Sequence, residues 1–302
     1  MPVPIANKET TSTPTLSVTS DSMGAATGTG KPVVPSALKT PLQSTISRAG
    51  ASIPTYAQGK KPFIEIQNIS KIVQARPTRA EPAPKITKIL DDVSLNIYPG
   101  EYIIIFGDSG SGKSMLLNHI LGLERPSSGR IVVNGRDIAT MNESDLAYFR
   151  LGTLGMVYQD TNSLDDLMVW QNVALPAAIA GVTKDKRKQL ALRLLESFRL
   201  ESLADKYPQE LSHGQNKKTA IVRALMNNPM MLIADEPTAG LDTKASDEIM
   251  ENIRFINEQS NMTVVLVSNN PNYVYFPHRV VYLTDGKISR IVENRPLRSV
   301  AA

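Results

Sequence analysis

Short apolar runs alternate with longer helical patterns through much of the chain, and this alternation predicts a parallel sheet. Residues 102–106 (YIIIF), 230–234 (MMLIA) and 263–267 (TVVLV) are almost wholly apolar. Strands of this kind are buried on both faces, which is typical of parallel sheets covered by helices. Residues 244–259 lie between the last two runs and carry the helical pattern that a crossover between parallel strands requires. The pattern therefore predicts an α/β fold.

Other patterns predict two additions to this core. Residues 63–70 (FIEIQNIS) alternate as an antiparallel edge strand does, and 130–138 (RIVVNGRDI) predict a hairpin with Asn-Gly at its turn. From about residue 144 to 225 the signal is mainly helical. We therefore expect a mostly parallel core with an antiparallel β-subdomain and an inserted α-helical subdomain at about 144–225.

The composition of the chain changes at about residue 60. Residues 1–60 are rich in Ser, Thr, Pro, Gly and Ala and lack sustained periodicity, so they bury too little apolar surface to offset their ordering entropy. We expect a disordered tail over 1–60, a folded body over 61–290 and a flexible end over 291–302. A passive tail is favoured over a tether or a weak membrane-surface contact.

Charge and composition exclude several classes of protein. The 302 residues are 41% hydrophobic and 21% charged, as in soluble globular proteins, and no apolar run is long enough to span a bilayer. The absence of cysteine excludes disulfides and thiolate metal sites and, with no visible signal peptide, fits a cytoplasmic protein. Residues 1–60 carry +3 of the net charge of +4, so the body is nearly neutral and does not resemble a nucleic-acid binder.

A glycine-rich segment, GDSGSGKS, follows a buried strand, precedes a predicted helix and satisfies the pattern G-x-x-x-x-G-K-[ST]. Its glycines let successive N–H groups face phosphate oxygens, and the helix N-terminus attracts the same anion. Lys113 is expected to reach the β- and γ-phosphates of ATP, and the Ser114 hydroxyl to ligate Mg²⁺. The alternative is a glycine-rich turn that matches by chance. The predicted ATP-binding residues are Gly107, Asp108, Ser109, Gly110, Ser111, Gly112, Lys113 and Ser114.

Two adjacent carboxylates, Asp235 and Glu236, follow the apolar run 230–234. An acidic pair at the end of a buried strand is costly unless a cation or a proton-accepting role balances it. We expect Asp235 to hold the Mg²⁺ shell and Glu236 to act as the general base for an attacking water. The alternative is an exposed turn after a strand.

A third segment, ELSHGQNKK (210–218), places Ser212 as the N-cap of a helix. In this order the three segments resemble the ATPase subunit of ABC transporters, and the resemblance runs from about Phe63 to Ile288. It implies a P-loop NTPase core with a helical subdomain, whose signature LSGGQ is here LSHGQ. It also implies a head-to-tail pair of cassettes, in which Ser212, Gly214 and Gln215 of one chain complete the ATP site of the other.

The resemblance assigns further residues and a partner. Gln159 matches the glutamine that touches Mg²⁺ and the lytic water, and Asp242 matches the aspartate that communicates across the dimer, which is a homodimer or a heterodimer. The permease would be a separate membrane chain, placing this protein on the inner face of the membrane. Phrases such as QNVALPAAIAG (171–181) and IVRALMNNPMMLIADEPTAGLD (221–242) resemble the branch of macrolide exporters, lipoprotein-release ATPases and the cell-division ATPase.

The sequence departs from the family's pattern at several positions. Asn269 stands where the family places a switch histidine, and a carboxamide can donate a hydrogen bond but cannot change its protonation near pH 7. Slow hydrolysis by a self-paired subunit is one interpretation, and adequate substitution by Asn269 is the other. His213 replaces the first signature glycine. Val73 stands where an aromatic residue would stack on adenine, so stacking is weaker or another aromatic such as Tyr56 serves.

Three functions compete. The leading one is the ATP-powered subunit of a membrane complex, whose docking surface would lie around Gln159–Pro176; the stretch 161–173 suits such a surface or a subdomain core equally. The second is an ABC ATPase acting on DNA or ribosomes, which needs a long coiled coil or two cassettes, and neither is visible. The third is a regulatory or mechanical subunit that signals through a membrane partner without moving a solute.

Overall fold

The computed structural model describes residues 45–47 (backbone only), 57, 59–74 and 86–294, all within one compact unit, Leu42–Ala302. The strands in this part of the chain are β1 (Thr45–Ser47), β2 (Ile64–Gln74), β3 (Ile86–Ile97), β4 (Tyr102–Phe106), β5 (Ser128–Val133), β6 (Arg136–Asp137), β7 (Leu154–Val157), β8 (Met231–Asp235), β9 (Thr263–Ser268), β10 (Arg279–Thr284) and β11 (Lys287–Glu293). The helices are α1 (Lys113–Ile120), α2 (Glu143–Thr153), α3 (Val169–Ile179), α4 (Lys184–Ser197), α5 (His213–Ala224) and α6 (Thr243–Ser260).

The larger sheet has the order β1-β11-β10-β4-β9-β8-β7. Its five strands from β10 to β7 are parallel, and β11 and β1 extend one side in antiparallel fashion. Every residue of Val264–Val267 in β9 is 0% exposed, as expected for a central strand covered on both faces. The predicted α/β fold with a mostly parallel sheet is confirmed.

The smaller sheet is antiparallel, with the order β3-β2-β5-β6. The prediction that residues 63–70 form an edge strand is wrong, because β2 pairs with β3 on one side and β5 on the other. Alternation shows only that one face packs on the core, which is equally true of an interior antiparallel strand. The hairpin of β5 and β6 is confirmed, and its turn residues Asn134 and Gly135 have φ of 48° and 73°.

The inserted helical subdomain is smaller than the sequence pattern indicates. Helices α3, α4 and α5 share a separate apolar core that includes Trp170, Val173 and Leu195. The helical expectation over 144–225 fails at β7, which pairs with β8 in the parallel sheet. A run of four residues containing Gly155 is too short to show a strand period, and only its pairing with β8 defines it. Helix α2 packs through Phe149 on the core of the sheet rather than on the subdomain.

Both predicted ends of the folded body lie inside ordered structure. Within the tail expected to be disordered, β1 pairs with β11 at Thr45↔Glu293, and β11 itself continues past residue 290. The open backbone groups of an edge strand provide the partner that composition alone does not reveal. The rest of residues 1–56 (with the candidate Tyr56), residue 58, residues 75–85 and residues 295–302 lie outside the described residues. Among the described helices, none is long and apolar enough to cross a membrane.

Candidate functional site

Four neighbouring parallel strands end at the same edge of the sheet and bring the predicted site residues together. In the order β4, β9, β8, β7, these strands lead into Gly107, Asn269, Glu236 and Gln159. The pairs Phe106↔Ser268 and Asp235↔Val267 keep the strand ends level. Ligands of open parallel sheets bind beyond this carboxyl edge, so the placement defines a candidate site.

The loop of residues 107–114 is shaped by its glycines and ends in helix α1. Gly110 and Gly112 have φ of 81° and 99°, a region that favours glycine. A Cβ on Gly107 would lie 2.2 Å from the carbonyl oxygen of Leu283 in β10. The loop therefore packs tightly against β10 and continues directly into the N-terminus of α1.

Two side chains of this loop are poised for an anion. Lys113 is 5% exposed, and its Nζ donates a hydrogen bond to the Asp108 carbonyl at 2.7 Å. The Ser111 Oγ is buried and has no hydrogen-bond partner among the described residues. Buried polar atoms are normally paired, so a bare hydroxyl beside a lysine and a helix N-terminus suits a bound phosphate group.

Ser114 and Asp235 meet where the loop faces the end of β8. The Ser114 hydroxyl donates to Asp235 Oδ1 at 3.4 Å. Burial raises the pKa of Asp235, while the Ser114 hydrogen bond and the Lys113 charge lower it in part. Two oxygen atoms at this spacing are hard ligands of the kind that Mg²⁺ takes at adjacent octahedral positions, about 3 Å apart.

Glu236 has a backbone conformation that is unusual for a residue with a side chain. Its φ is 44°, its N–H donates to the Val267 carbonyl at 3.0 Å, and its own carbonyl accepts from Ala239 N–H at 3.0 Å. Such strain persists where surrounding hydrogen bonds fix it, and it is concentrated at functional sites. The turn directs the chain sharply away from β8 directly after Asp235.

The signature segment caps α5, as predicted. The Ser212 Oγ accepts from Gln215 N–H at 3.2 Å, and the Gln215 side chain accepts from Ser212 N–H at 2.9 Å. Gly214 lies against Ala245 and His213 against Gly240. Within residues 86–294, the side-chain hydrogen bonds of Ser212 and Gln215 join these two residues to each other and not to the loop 107–114.

Asp242 and Asn269 have different local roles. The Asp242 carboxylate accepts from Ala245 N–H at 2.9 Å and caps α6. Asn269 is exposed at the end of β9. Its neighbour Asn270 accepts from Asn272 N–H at 3.0 Å and caps the 3₁₀ turn Pro271–Tyr273. The two asparagines therefore differ in role, since Asn270 caps the 3₁₀ turn after the strand while Asn269 is exposed to solvent at the sheet edge.

The sequence prediction missed a set of side chains that hold the segment after Gln159. Lys217 and Arg223 of α5 donate to its backbone carbonyls, and Asn172 of α3 makes hydrogen bonds with Leu164 at 2.8 and 3.0 Å. One signal was available for Lys217. It shares a helical stripe with Ala220 and Ile221, which are 2% and 1% exposed, and a lysine in such a stripe needs a buried partner.

The fold and the site define a P-loop nucleotide-binding protein. A glycine-rich loop joins a buried parallel strand to a helix, and an aspartate at the end of the next strand but one faces the serine of that loop. This is the arrangement by which the class holds nucleotide phosphates. The separate α3–α5 subdomain with a capped helix distinguishes this chain from a bare P-loop core.

Comparisons with known proteins identify the family. The model of the family "ABC transporter" matches residues 90–239. The ABC transporter ATP-binding protein YtrE of Bacillus subtilis (strain 168) is 40% identical over 198 residues, which cover 66% of this chain and 86% of YtrE. The macrolide export ATP-binding/permease protein MacB of Hahella chejuensis is 37% identical over 229 residues, but these cover only 34% of MacB.

A solved ATP-binding cassette agrees in fold. This cassette, a dimer in a post-hydrolysis state bound to ADP and Pi, is 33% identical with a TM-score of 0.69, and the match covers 77% of this chain and 99% of that one. The chain therefore belongs to the ABC transporter family, as an ATP-binding subunit whose cassette is an ATPase.

Proposed function

We propose that residues 107–114, Asp235, Glu236 and Gln159 together hydrolyse Mg-ATP, and that the chain acts as one of a pair of cassettes driving a separate permease. The placement of these residues at the ends of β4, β8 and β7, on the same edge of the sheet, is the observation that carries the proposal. ATP would lie with its β- and γ-phosphates at the N-terminus of α1. Lys113 Nζ would leave the Asp108 carbonyl to bind them, and Ser111 Oγ would gain the partner it lacks.

Hydrolysis then requires a base that faces the γ-phosphate. A water oxygen attacks the γ-phosphorus, its proton passes to the Glu236 carboxylate, and the bond to the β–γ bridging oxygen breaks, giving ADP and phosphate. The positive φ of Glu236 turns this residue out of the strand direction, while Asp235 remains toward Ser114. Bound Mg²⁺, held by Ser114, Asp235 and Gln159, would neutralise charge that develops on the phosphate oxygens.

A second cassette would complete the site. The α5 N-terminus presents the Ser212 cap, Gly214 and Gln215, and in this chain it lies against the start of α6. In a head-to-tail pair the same surface would cover the γ-phosphate on the partner's loop. Asp242, which caps α6 beside it, would lie at the dimer boundary. The solved relative is a dimer, which supports this arrangement.

Replacing Glu236 by glutamine tests the site and the pairing together. The Glu236→Gln chain should bind ATP as the parent does, lose at least about 100-fold in turnover, and elute as a dimer with Mg-ATP. Lys113→Ala is the control that should lose nucleotide affinity and stay monomeric. Parental turnover in Glu236→Gln would show that another group is the base.

Asn269 is proposed to keep hydrolysis slow when the chain pairs with itself. Its exposed carboxamide follows β9 beside the phosphate loop, where a histidine could hold the γ-phosphate and the water. Asn269→His should raise the steady-state ATPase rate severalfold, and Asn270→His, at the capping position, should not. An unchanged or lower rate in Asn269→His would favour adequate substitution by asparagine.

Exposed residues after β7 form the proposed docking surface for the permease. Tyr158 and Leu164 are 37% and 48% exposed and stand among acidic residues, whereas Trp170 is 6% exposed and belongs to the subdomain core. In this proposal the first half of the stretch 161–173 contributes to the docking surface and the second half to the core of the helical subdomain. Leu164→Asp should abolish co-purification with the permease from detergent-solubilised membranes, and Ile179→Asp, at 68% exposure on the end of α3, should not.

In this proposal the permease is a separate chain and the cassette lies on the inner face of the membrane; YtrE, of which the match covers 86%, is named an ATP-binding protein. Signalling through that permease, without solute transport, is the second candidate. The Asn269 substitution favours it, because a regulatory subunit needs ATP-driven closure more than rapid turnover. The test compares two complexes, one with the parent chain and one with Asn269→His. Normal solute transport by both complexes would count against signalling.

A further inference from the structure

The segment that leaves β7 is hydrogen-bonded to the helical subdomain by two cationic side chains of α5, Lys217 and Arg223. Lys217 Nζ donates a hydrogen bond to the Gln159 carbonyl. Six residues further along α5, Arg223 Nη1 donates to the Asn162 carbonyl at 2.9 Å and Nη2 donates to the Thr161 carbonyl. Asn162 has a φ of 47°, so the backbone bends sharply where Arg223 holds it.

Lys217 is an unusual residue for this position, because it is 0% exposed. Burial lowers the pKa of Lys217, and the nearby Asp160 carboxylate opposes that change. A buried ammonium needs hydrogen-bond acceptors, and hydrogen bonds from a charged donor are about twice as strong as neutral ones. The contact with the Gln159 carbonyl is therefore a strong local restraint on the backbone of that residue.

The position of Lys217 on α5 connects two parts of the nucleotide site. The same helix begins at the Ser212 cap, and its first turns carry Gly214 and Gln215. Lys217 of this helix reaches the backbone of Gln159, a residue that is exposed at the sheet edge. A helix of twelve residues is a rigid element, so any displacement of its N-terminus is transmitted to the carbonyls that its side chains hold.

We propose that Lys217, assisted by Arg223, is a positioning residue that locks the Gln159 backbone to the signature helix, so that signature and Gln159 move as one unit. This inference rests on the proposed role of Gln159 at the nucleotide. When the signature residues of this chain bind the ATP of the partner, the position of α5 then determines the position of Gln159 relative to the ATP of its own chain. Lys217 bonds the main-chain carbonyl of Gln159, so the Gln159 side chain remains available for the nucleotide site.

Neighbouring lysines on α5 provide a matched control. Lys218 forms its ion pair with Glu248 of α6 at 2.5 Å and, within the described residues, makes no hydrogen bond to the segment 159–162. Methionine and glutamine have equal length and similar shape, and only glutamine carries an N–H donor. Lys217→Met, Lys217→Gln and Lys218→Met therefore separate loss of the donor from loss of charge or of packing.

The primary measurement is amide hydrogen exchange of residues 159–163 without nucleotide, with thermal melts to confirm folding. Exchange should rise about tenfold in Lys217→Met, less in Lys217→Gln, and not in Lys218→Met. At saturating Mg-ATP, kcat should fall about tenfold in Lys217→Met with KM within twofold of the parent, because ATP binding at the loop 107–114 is untouched. A purely structural lysine would lower the melting temperature without this split.

Parental exchange and kcat in Lys217→Met, or equal effects of Lys217→Met and Lys218→Met, would overturn the proposal. Should Lys217→Met fail to fold, Lys217→Gln carries the same test, since it should raise exchange at 159–163 by a smaller factor; Arg223→Lys should raise exchange at 161–163 alone. Raised exchange with an unchanged kcat would retain the anchor but refute its link to hydrolysis. Failure of the proposed function is separate, because it would appear as missing ATP binding in Glu236→Gln itself.

Discussion

Replacing Gly107 by alanine tests how closely the phosphate loop is packed against β10. A Cβ at this position would lie 2.2 Å from the Leu283 carbonyl oxygen and 2.8 Å from Ser111 Oγ. Carbon and oxygen atoms normally approach to about 3.3 Å, so the backbone of the loop must move by about 1 Å. Ser111 can rotate, but the Leu283 carbonyl belongs to β10 and cannot yield easily.

The size of the effect follows from the hydrogen bonds that this displacement breaks. The loop would bind phosphate mainly through backbone N–H groups, each worth about 1.5–3 kcal/mol to a charged acceptor. Loss of two such bonds weakens ATP binding by about 3 kcal/mol or more, which is at least about 100-fold. Gly110→Ala has open space and strain only from its φ of 81°, so its cost is about 1–2 kcal/mol.

Titration with a fluorescent ATP analogue, together with thermal melts, provides the assay. Gly152→Ala is the matched control, because this glycine lies in α2 with no atom within 4 Å of the added Cβ. It should raise stability by about 0.5–1 kcal/mol and leave ATP affinity unchanged. A folded Gly107→Ala chain that binds ATP within twofold of the parent would refute the close-packing explanation.

Three further predictions follow from individual contacts. Burial raises the pKa of Asp235, so the folded chain binds the proton of this carboxyl group more tightly than the unfolded chain does. The protein therefore loses stability as the pH rises through the raised pKa. Asp235→Asn should raise the melting temperature at pH 7, and this gain should shrink toward about pH 4. An equal gain at both pH values would contradict this. Asn172→Leu removes the partner of the Leu164 N–H and C=O and should cost about 0.5–1.5 kcal/mol for each lost hydrogen bond in chemical denaturation. Val73 is 39% exposed on β2, where a tyrosine ring could stack on adenine. Val73→Tyr should therefore improve ATP affinity by at least about fivefold and leave the affinity for inorganic triphosphate unchanged.

Much of the core was predictable because its signals are local. Strands β4, β8 and β9 are continuous apolar runs, and such runs are buried wherever they fall in a parallel sheet. The Ser212 cap of α5 was predictable for the same reason, since its Oγ and the N–H it accepts are three residues apart. The glycine-rich loop depends on residue types at fixed spacing and was visible directly.

Features that depend on pairing between distant segments were not predictable. The short strand β7 exists because β8 is beside it, and β1 because β11 offers an open edge. The apolar stripe around Lys217 indicates that this lysine needs a buried partner, but only the fold shows that the partner is the Gln159 carbonyl. The stretch 161–173 could not be divided into surface and core until α3 was packed on α4 and α5.

The sequence by itself determined which short segments can bind a phosphate, supply carboxylates and cap a helix, because each of these properties depends on neighbouring residues. The tertiary structure decided which of them share a site. Gly107 and Asn269 are adjacent because β4 and β9 pair, although more than a hundred residues separate them in the chain. Strand order is fixed by the burial of whole faces against helices, and no local pattern records it.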